Sequence, residues 1–238
     1  MMMRSIKLAA CNLVLFTVAG LSAFGCSVSA SDEESTDTES NALAAGPTAA
    51  QLLEKVKTCN QISNGKYKSD DETSANIAVC DKNGAVFWKA DMDVDCDGQS
   101  TSKCNKNTDP WYQDDTAFHQ SDGKPLNAET TPYVVVPSSS SIWNYQNSGI
   151  QGGSVVAIIY NNKVIYAPVG DTGPTKIIGE ASYGAAVALG IDPNPASGGT
   201  DGPVTYIVFK NSKVSPIESK SKASELGAQL AQKFIDNN

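Results

Sequence analysis

The sequence predicts a mostly β (α+β) protein: a small β-barrel-like core carrying an N-terminal, an internal and a C-terminal helix. Three observations predict it. Six short runs rich in strand formers, at 78–80, 85–89, 133–136, 155–160, 164–167 and 204–209, are separated by turn-forming residues. Apolar residues recur at helical spacing near both ends of the folded part and in one Ala-rich stretch. Many short strands with few helices suit a closed or nearly closed barrel, because closure removes exposed sheet edges.

The first thirty residues stand apart. Arg4 and Lys7 precede an apolar run over 8–23, followed by small residues. That pattern is a secretory signal over 1–30, too short and wrongly flanked for a stable membrane span. Two exits are open. Cleavage after Val28-Ser29-Ala30 releases a secreted protein, whereas Cys26, after Leu21-Ser22-Ala23-Phe24-Gly25, resembles a degenerate lipobox that would anchor the chain to the cell envelope through lipid. The stretch 31–46 follows. Its first ten residues hold five acids, no bases and no large apolar side chain, so disorder is expected. Residues 47–238 form the remaining domain, long enough for one sizeable core.

Within it, Thr48 with Gln51 three residues on makes a capping-box pattern, and Leu52, Leu53, Val56 and Cys59 continue at helical spacing. Asn161-Asn162 between two strand runs predicts a hairpin turn, and Asn211-Ser212 before Lys213-Val214 suggests another. The Ala-rich stretch 181–189 is a better helix than strand. Ala223, Leu226, Leu230 and Phe234 make one apolar face of a closing helix. Cys59, Cys80, Cys96 and Cys104 are an even set in an oxidising compartment. Three pairings are possible, and short loops favour Cys59–Cys80 with Cys96–Cys104.

Once the leader's two bases and the acidic stretch's five acids are removed, 16 bases and 21 acids remain, a net charge of −5 over 41–238. With no basic patch, nucleic acid is excluded as a partner. The mild acidic excess suits a cationic substrate. His119, the single histidine, cannot build a His-based metal site and reads as a surface or loop residue. No cofactor, metal or protein partner is implied, and a monomer is expected.

Asp91, Asp93, Asp95 and Asp97 at strand spacing would all face one way, an expensive ladder of like charges unless a cation neutralises it. Asp93-x-Asp95-x-Asp97-Gly98 copies the first half of a calcium loop, but its twelfth position is Cys104, so a complete EF-hand is rejected. A substrate ammonium group is the preferred counter-ion. A calcium ion and a simple solvated turn remain alternatives.

Three stretches carry the chemistry. The first is Ala85-Val86-Phe87-Trp88-Lys89-Ala90-Asp91-Met92-Asp93-Val94-Asp95-Cys96-Asp97-Gly98. The second is Asp109-Pro110-Trp111-Tyr112-Gln113-Asp114-Asp115-Thr116. The third is Gly170-Asp171-Thr172-Gly173-Pro174, running on to Ile178-Gly179-Glu180-Ala181-Ser182. In this order they resemble the fungal-type chitosanases of glycoside hydrolase family 75, over roughly 78–217. The resemblance implies endo-hydrolysis of β-1,4-linked glucosamine in chitosan, with inversion, by one Asp and one Glu. Those fall on Asp171 and Glu180. Asp91, Asp93, Asp95, Trp111, Gln113 and Asp115 are the candidate substrate contacts.

The residues themselves fit that chemistry. Glycosidic cleavage needs an acid for the leaving oxygen and a second carboxylate across the bond. Asp171 follows a strand between Gly170 and Gly173, which suggests a tight exposed loop, and Glu180 opens the Ala-rich helix. A helix N-terminus favours the ionised carboxylate, so burial or a neighbouring carboxylate must overcome it if Glu180 is the acid. The assignment adopted is Glu180 as acid and Asp171 as base. Trp88 and Trp111 could stack on sugar faces, although a large aromatic in a β protein is more often core. Two other classes stay open: a different cell-wall glycosidase, such as a muramidase, and a non-catalytic calcium- or carbohydrate-binding module.

Overall fold

A computed structural model describes residues 46–238. The signal over 1–30, Cys26 and the acidic stretch as far as residue 45 lie outside the described residues. No helix among those described is long and apolar enough to cross a membrane.

The chain opens with α1 (Ala49–Lys55), started by the expected capping box: Thr48 N–H donates to Gln51 Oε1 at 2.9 Å and Gln51 N–H to Thr48 Oγ1 at 3.3 Å. The helix stops before Cys59, which the periodicity had included. Residues 60–61 instead form β1 (Asn60–Gln61), paired with β2 (Cys80–Lys82), and Cys59 is bonded to Cys80.

The core is a mixed six-stranded barrel. β3 (Ala85–Asp95), β7 (Glu180–Ser182), β4 (Val134–Pro137), β6 (Lys163–Gly173), β5 (Val155–Tyr160) and β8 (Thr200–Phe209) neighbour one another in that order, and β8 pairs back onto β3 to close the ring. The β3–β7 and β4–β6 pairs are parallel and the others antiparallel. The β5–β6 hairpin turns where expected: Tyr160 pairs with Lys163, and Asn161 and Asn162 hold φ of 44° and 64°. Asparagine tolerates this left-handed backbone better than other side chains. The second expected hairpin does not form. Ser212 instead donates its hydroxyl to Phe209 O and accepts from Val155 N, which ends β8 against β5.

Alternation along β3 sorts its side chains. Val86, Trp88, Met92 and Val94 point into the barrel, where Trp88 stacks on Tyr206 at 5.4 Å and meets Trp143 edge-on at 6.2 Å. Trp88 is therefore core and not a sugar platform. Ala85 and Phe87 face outward under α3 (Lys220–Asp236), whose Ala223, Ala231 and Phe234 seal one outer wall together with α1. The third helix, α2 (Tyr183–Leu189), starts three residues after Glu180.

Cys96–Cys104 closes the second disulfide just beyond the end of β3. Reductant should lower the melting temperature clearly, since each bridge contributes about 2–4 kcal/mol. Finding four free thiols by mass spectrometry in a protein that melts normally would count against both bridges.

Candidate active site

Register places the two expected carboxylates in one row. Asp93 on β3 pairs with Glu180 on β7, Glu180 pairs with Val135 on β4, and Val135 pairs with Asp171 on β6. Paired residues on neighbouring strands share a face, so the row crosses four strands on the outer wall. A bulge makes this possible. Val134 and Val169 pair and face the barrel interior, yet the next step along β4, to Val135, matches two steps along β6, to Asp171. On a regular strand Val169 and Asp171 would share the inner face; the extra residue, Gly170, turns Asp171 outward. Only glycine fits there, because a Cβ would lie 2.5 Å from Tyr133 Cβ and 2.6 Å from Leu126 Cδ1.

The local structure differs from the sequence expectation at both residues. Asp171 is not in an exposed loop: it lies inside β6 and is 6% exposed. Glu180 does not open the helix but sits on β7, ahead of the N-cap Ser182. Its environment is therefore set by the sheet and its neighbouring carboxylates.

Those environments differ. Asp171 Oδ1 accepts from Ala117 N at 2.8 Å and Thr172 N at 2.6 Å. Burial pushes its pKa up and the two N–H donors pull it back, with His119 lowering it and Asp115 raising it further out. Glu180 receives no hydrogen bond among the described residues. Burial, then the charges of Asp93, Asp97, Asp171 and Asp109, push it up to about 8. One carboxylate is stabilised as the anion by donors, and the other is left to keep its proton.

The profile of a family described as fungal chitosanase of glycosyl hydrolase group 75 matches residues 92–237. The chain is similar to endo-chitosanase B of Aspergillus oryzae, 30% identical over 222 residues that cover 82% of this chain and 90% of the relative. The chain belongs to this glycoside hydrolase family. It is also similar to an endo-chitosanase of Aspergillus fumigatus, 32% identical over 167 residues, 61% of this chain and 70% of the relative. A second Aspergillus oryzae endo-chitosanase is 29% identical over 228 residues, 82% of this chain and 91% of the relative. The matched span contains the whole row from Asp93 to Glu180.

Around this row the aspartate ladder divides. Asp91 and Asp93 gather with Asp70, the three carboxylates lying within 4.8 Å of one another. Asp70 arrives on a loop whose Lys68 N–H donates to Lys176 O and whose Lys68 O accepts from Ile178 N. Burial, then Asp93, pushes Asp91 up to about 7; burial, then Asp70, pushes Asp93 to about 6. Asp95 lies farther along the same face, at the end of β3, and Asp97 lies beyond it. Asp95 Oδ1 accepts from Asp97 N, and Asp97 Oδ1 accepts from Gln113 N, both at 2.6 Å. Asp93, Asp95 and Asp97 thus do not converge as a calcium half-loop would require.

The second stretch runs beside Asp97 and Gly98, which accept from Gln113 N and the Tyr112 hydroxyl. Trp111 is 74% exposed, its backbone N–H held by Asp109 Oδ1 at 2.8 Å. Gln113 is exposed and bonds its side chain to Trp111 O at 3.1 Å. Asp115 is exposed and pairs with His119 Nε2 at 2.7 Å. Sequence reasoning did not single out Asp70, Asp109 or Tyr133 and treated His119 as bland. Only the Asp-Pro-Trp-Tyr stretch offered any signal, for Asp109; Asp70 and Tyr133 reach the site by long-range pairing.

Proposed function

We propose that this protein is an endo-acting chitosanase that hydrolyses β-1,4-linked glucosamine with inversion, Glu180 serving as general acid and Asp171 as general base. The row Glu180–Val135–Asp171 carries the reading. Two strand spacings separate the two backbones, about 9–10 Å, and Glu180 Oε2 leans back toward β6, lying 3.0 Å from where a Cβ on Gly173 would be. Inverting hydrolysis needs carboxyl groups far enough apart to admit a water molecule, and carboxylates two strands apart suit it better than neighbours on adjacent strands. Glu180 gives its proton to the glycosidic oxygen as the C1–O bond breaks. Asp171, ionised and held by two N–H donors, takes a proton from the water whose oxygen bonds to C1 from the opposite face.

The family relatives named endo-chitosanase support the substrate, and the charge of the site agrees with it. A wall holding this many carboxylates favours a polymer bearing ammonium groups, and a neutral N-acetylated sugar gains nothing from it. Incubation with chitosan, chitin and peptidoglycan, followed by reducing-end release and by proton NMR of the first-formed anomer, tests the reading. Chitosan should be cleaved to the α-anomer. A β-anomer product would overturn inversion, and preference for peptidoglycan would favour a muramidase.

Asp70, Asp91 and Asp93 are read as an ammonium-binding group beside Glu180, with Trp111 as an exposed stacking platform. Asp93→Asn should weaken chitosan binding several-fold, and raised salt should weaken the wild type, because partly exposed pairs are screened beyond about 8–10 Å. Affinity measured at low and high salt checks this. A melting temperature that falls on adding a chelator, with binding indifferent to salt, would favour calcium instead.

A further inference from the structure

Asp95 was expected among the substrate contacts, yet it is 5% exposed and little of it can reach a sugar. It lies at the covered end of the same outer face, two residues along β3 from Asp93. Its register partner on β7 is Ser182, two residues from Glu180. Diagonal neighbours of this kind sit about 7–8 Å apart at the backbone, within reach for two carboxyl side chains. Ser182 cannot compensate Asp95: its hydroxyl already donates to Thr131 O at 3.0 Å and accepts from Tyr133 N at 2.9 Å.

No cation compensates it either. The ion pairs among the described residues are Lys57–Glu54, His119–Asp115, Lys124–Asp122 and Lys210–Asp81. None reaches Asp95 or Glu180. Two carboxylates enclosed together without a counter-charge do not both ionise near neutrality; the pair retains a proton. Where it rests is decided by donors. Asp95 accepts the Asp97 N–H at 2.6 Å, while the Tyr133 hydroxyl beside it gives its one proton to Asp97 O at 3.1 Å. The Asp97 N–H favours Asp95 as the anion. Glu180 has no such donor, so it is the better seat for the proton.

We propose that Asp95 is a buried positioning residue that keeps Glu180 protonated for its role as general acid, rather than a contact for substrate. The inference rests on the reading of Glu180 as the acid. The groups facing the pair agree: Asp97 and Asp171 act on Asp95, and Asp93, Asp97, Asp171 and Asp109 act on Glu180. All are acidic, and all hold the proton in place. Burial and the Glu180 charge push Asp95 itself up as well, so the two carboxyls share the proton and titrate as a pair.

The test compares the pH profiles of kcat and KM on chitosan for the wild type and for Asp95→Asn, which keeps an acceptor for the Asp97 N–H. Loss of the neighbouring charge should move the alkaline limb of kcat down by about one pH unit, with KM changed by less than about twofold. An unmoved limb overturns the inference, and an unmoved limb with a raised KM returns Asp95 to the substrate contacts. A wild-type measurement stands whether or not the variant folds. The carbon-13 resonance of the Asp95 carboxyl should still be shifting above pH 6, and a single ordinary step near 4 overturns the inference. Because that readout ignores activity, it is independent of the assignment of Glu180, which fails separately if Glu180→Gln stays active.

Discussion

Asp171→Asn and Glu180→Gln are each expected to remove nearly all hydrolysis of chitosan, a loss of about 10²-fold or more, while leaving the fold intact. Neither exchange opens a cavity. An asparagine at 171 can still accept the Ala117 and Thr172 N–H groups that hold the aspartate, and a glutamine at 180 removes a carboxyl that no hydrogen bond ties down. Reducing-end assays beside melting curves separate lost chemistry from lost structure. The two variants should then part company on a glucosamine oligomer carrying an activated aryl leaving group. Such a group departs without a proton, so Glu180→Gln should recover much of its rate on it, whereas Asp171→Asn, lacking the base for water, should not. Recovery in Asp171→Asn alone would exchange the two roles. Retention of more than about a tenth of wild-type activity on chitosan by either variant would remove that residue from the mechanism.

Local chemistry was legible in the sequence, and pairing across the barrel was not. The Thr48–Gln51 box and the Asn161-Asn162 turn were readable because each depends on residues within a few positions of itself. The Cys96–Cys104 bridge, with a sequence separation of 8, followed for the same reason, and Cys59–Cys80 followed from the even cysteine count once the shorter loops were preferred. Asp171 and Glu180 were picked out, but their settings were misread. The glycines flanking Asp171 suggested a loop, whereas Gly170 is the extra residue of a bulge and Gly173 is the last residue of β6. The helix expected over 181–189 loses its first two residues to β7, because Ala181 and Ser182 pair with β3 before the turn begins. The aspartate run looked uniform. Its division into an outer group with Asp70 and a covered group against Tyr133 depends on segments 21 or more positions away, which no local pattern reveals.

The same carboxylates that shape the chemistry should make the folded protein most stable in mild acid. A carboxyl whose pKa is higher in the folded state than in the unfolded chain binds its proton more tightly when folded. The stability it contributes is full below the unfolded value of about 4 and is lost as pH rises through the folded one. Here the folded values lie at about 6 for Asp93, about 7 for Asp91 and Asp97, and about 8 for Glu180. Asp95 and Asp171 shift in the same direction. Asp122 and Glu218 shift the opposite way, but Asp122 is exposed, Glu218 is half-buried, and their effect belongs below the unfolded value. The melting temperature should therefore fall steadily as pH rises from about 5 to about 8.5, and added salt should recover part of the loss at the alkaline end by screening the cluster. Glu180→Gln sharpens the prediction, since it removes a group pushed up to about 8. Its melting temperature should level off earlier, and at alkaline pH this inactive variant should be more stable than the wild type. A melting temperature that is flat or rising across that range, or a Glu180→Gln variant that tracks the wild type throughout, would mean that the cluster is neutralised in the free protein by something other than its own protons.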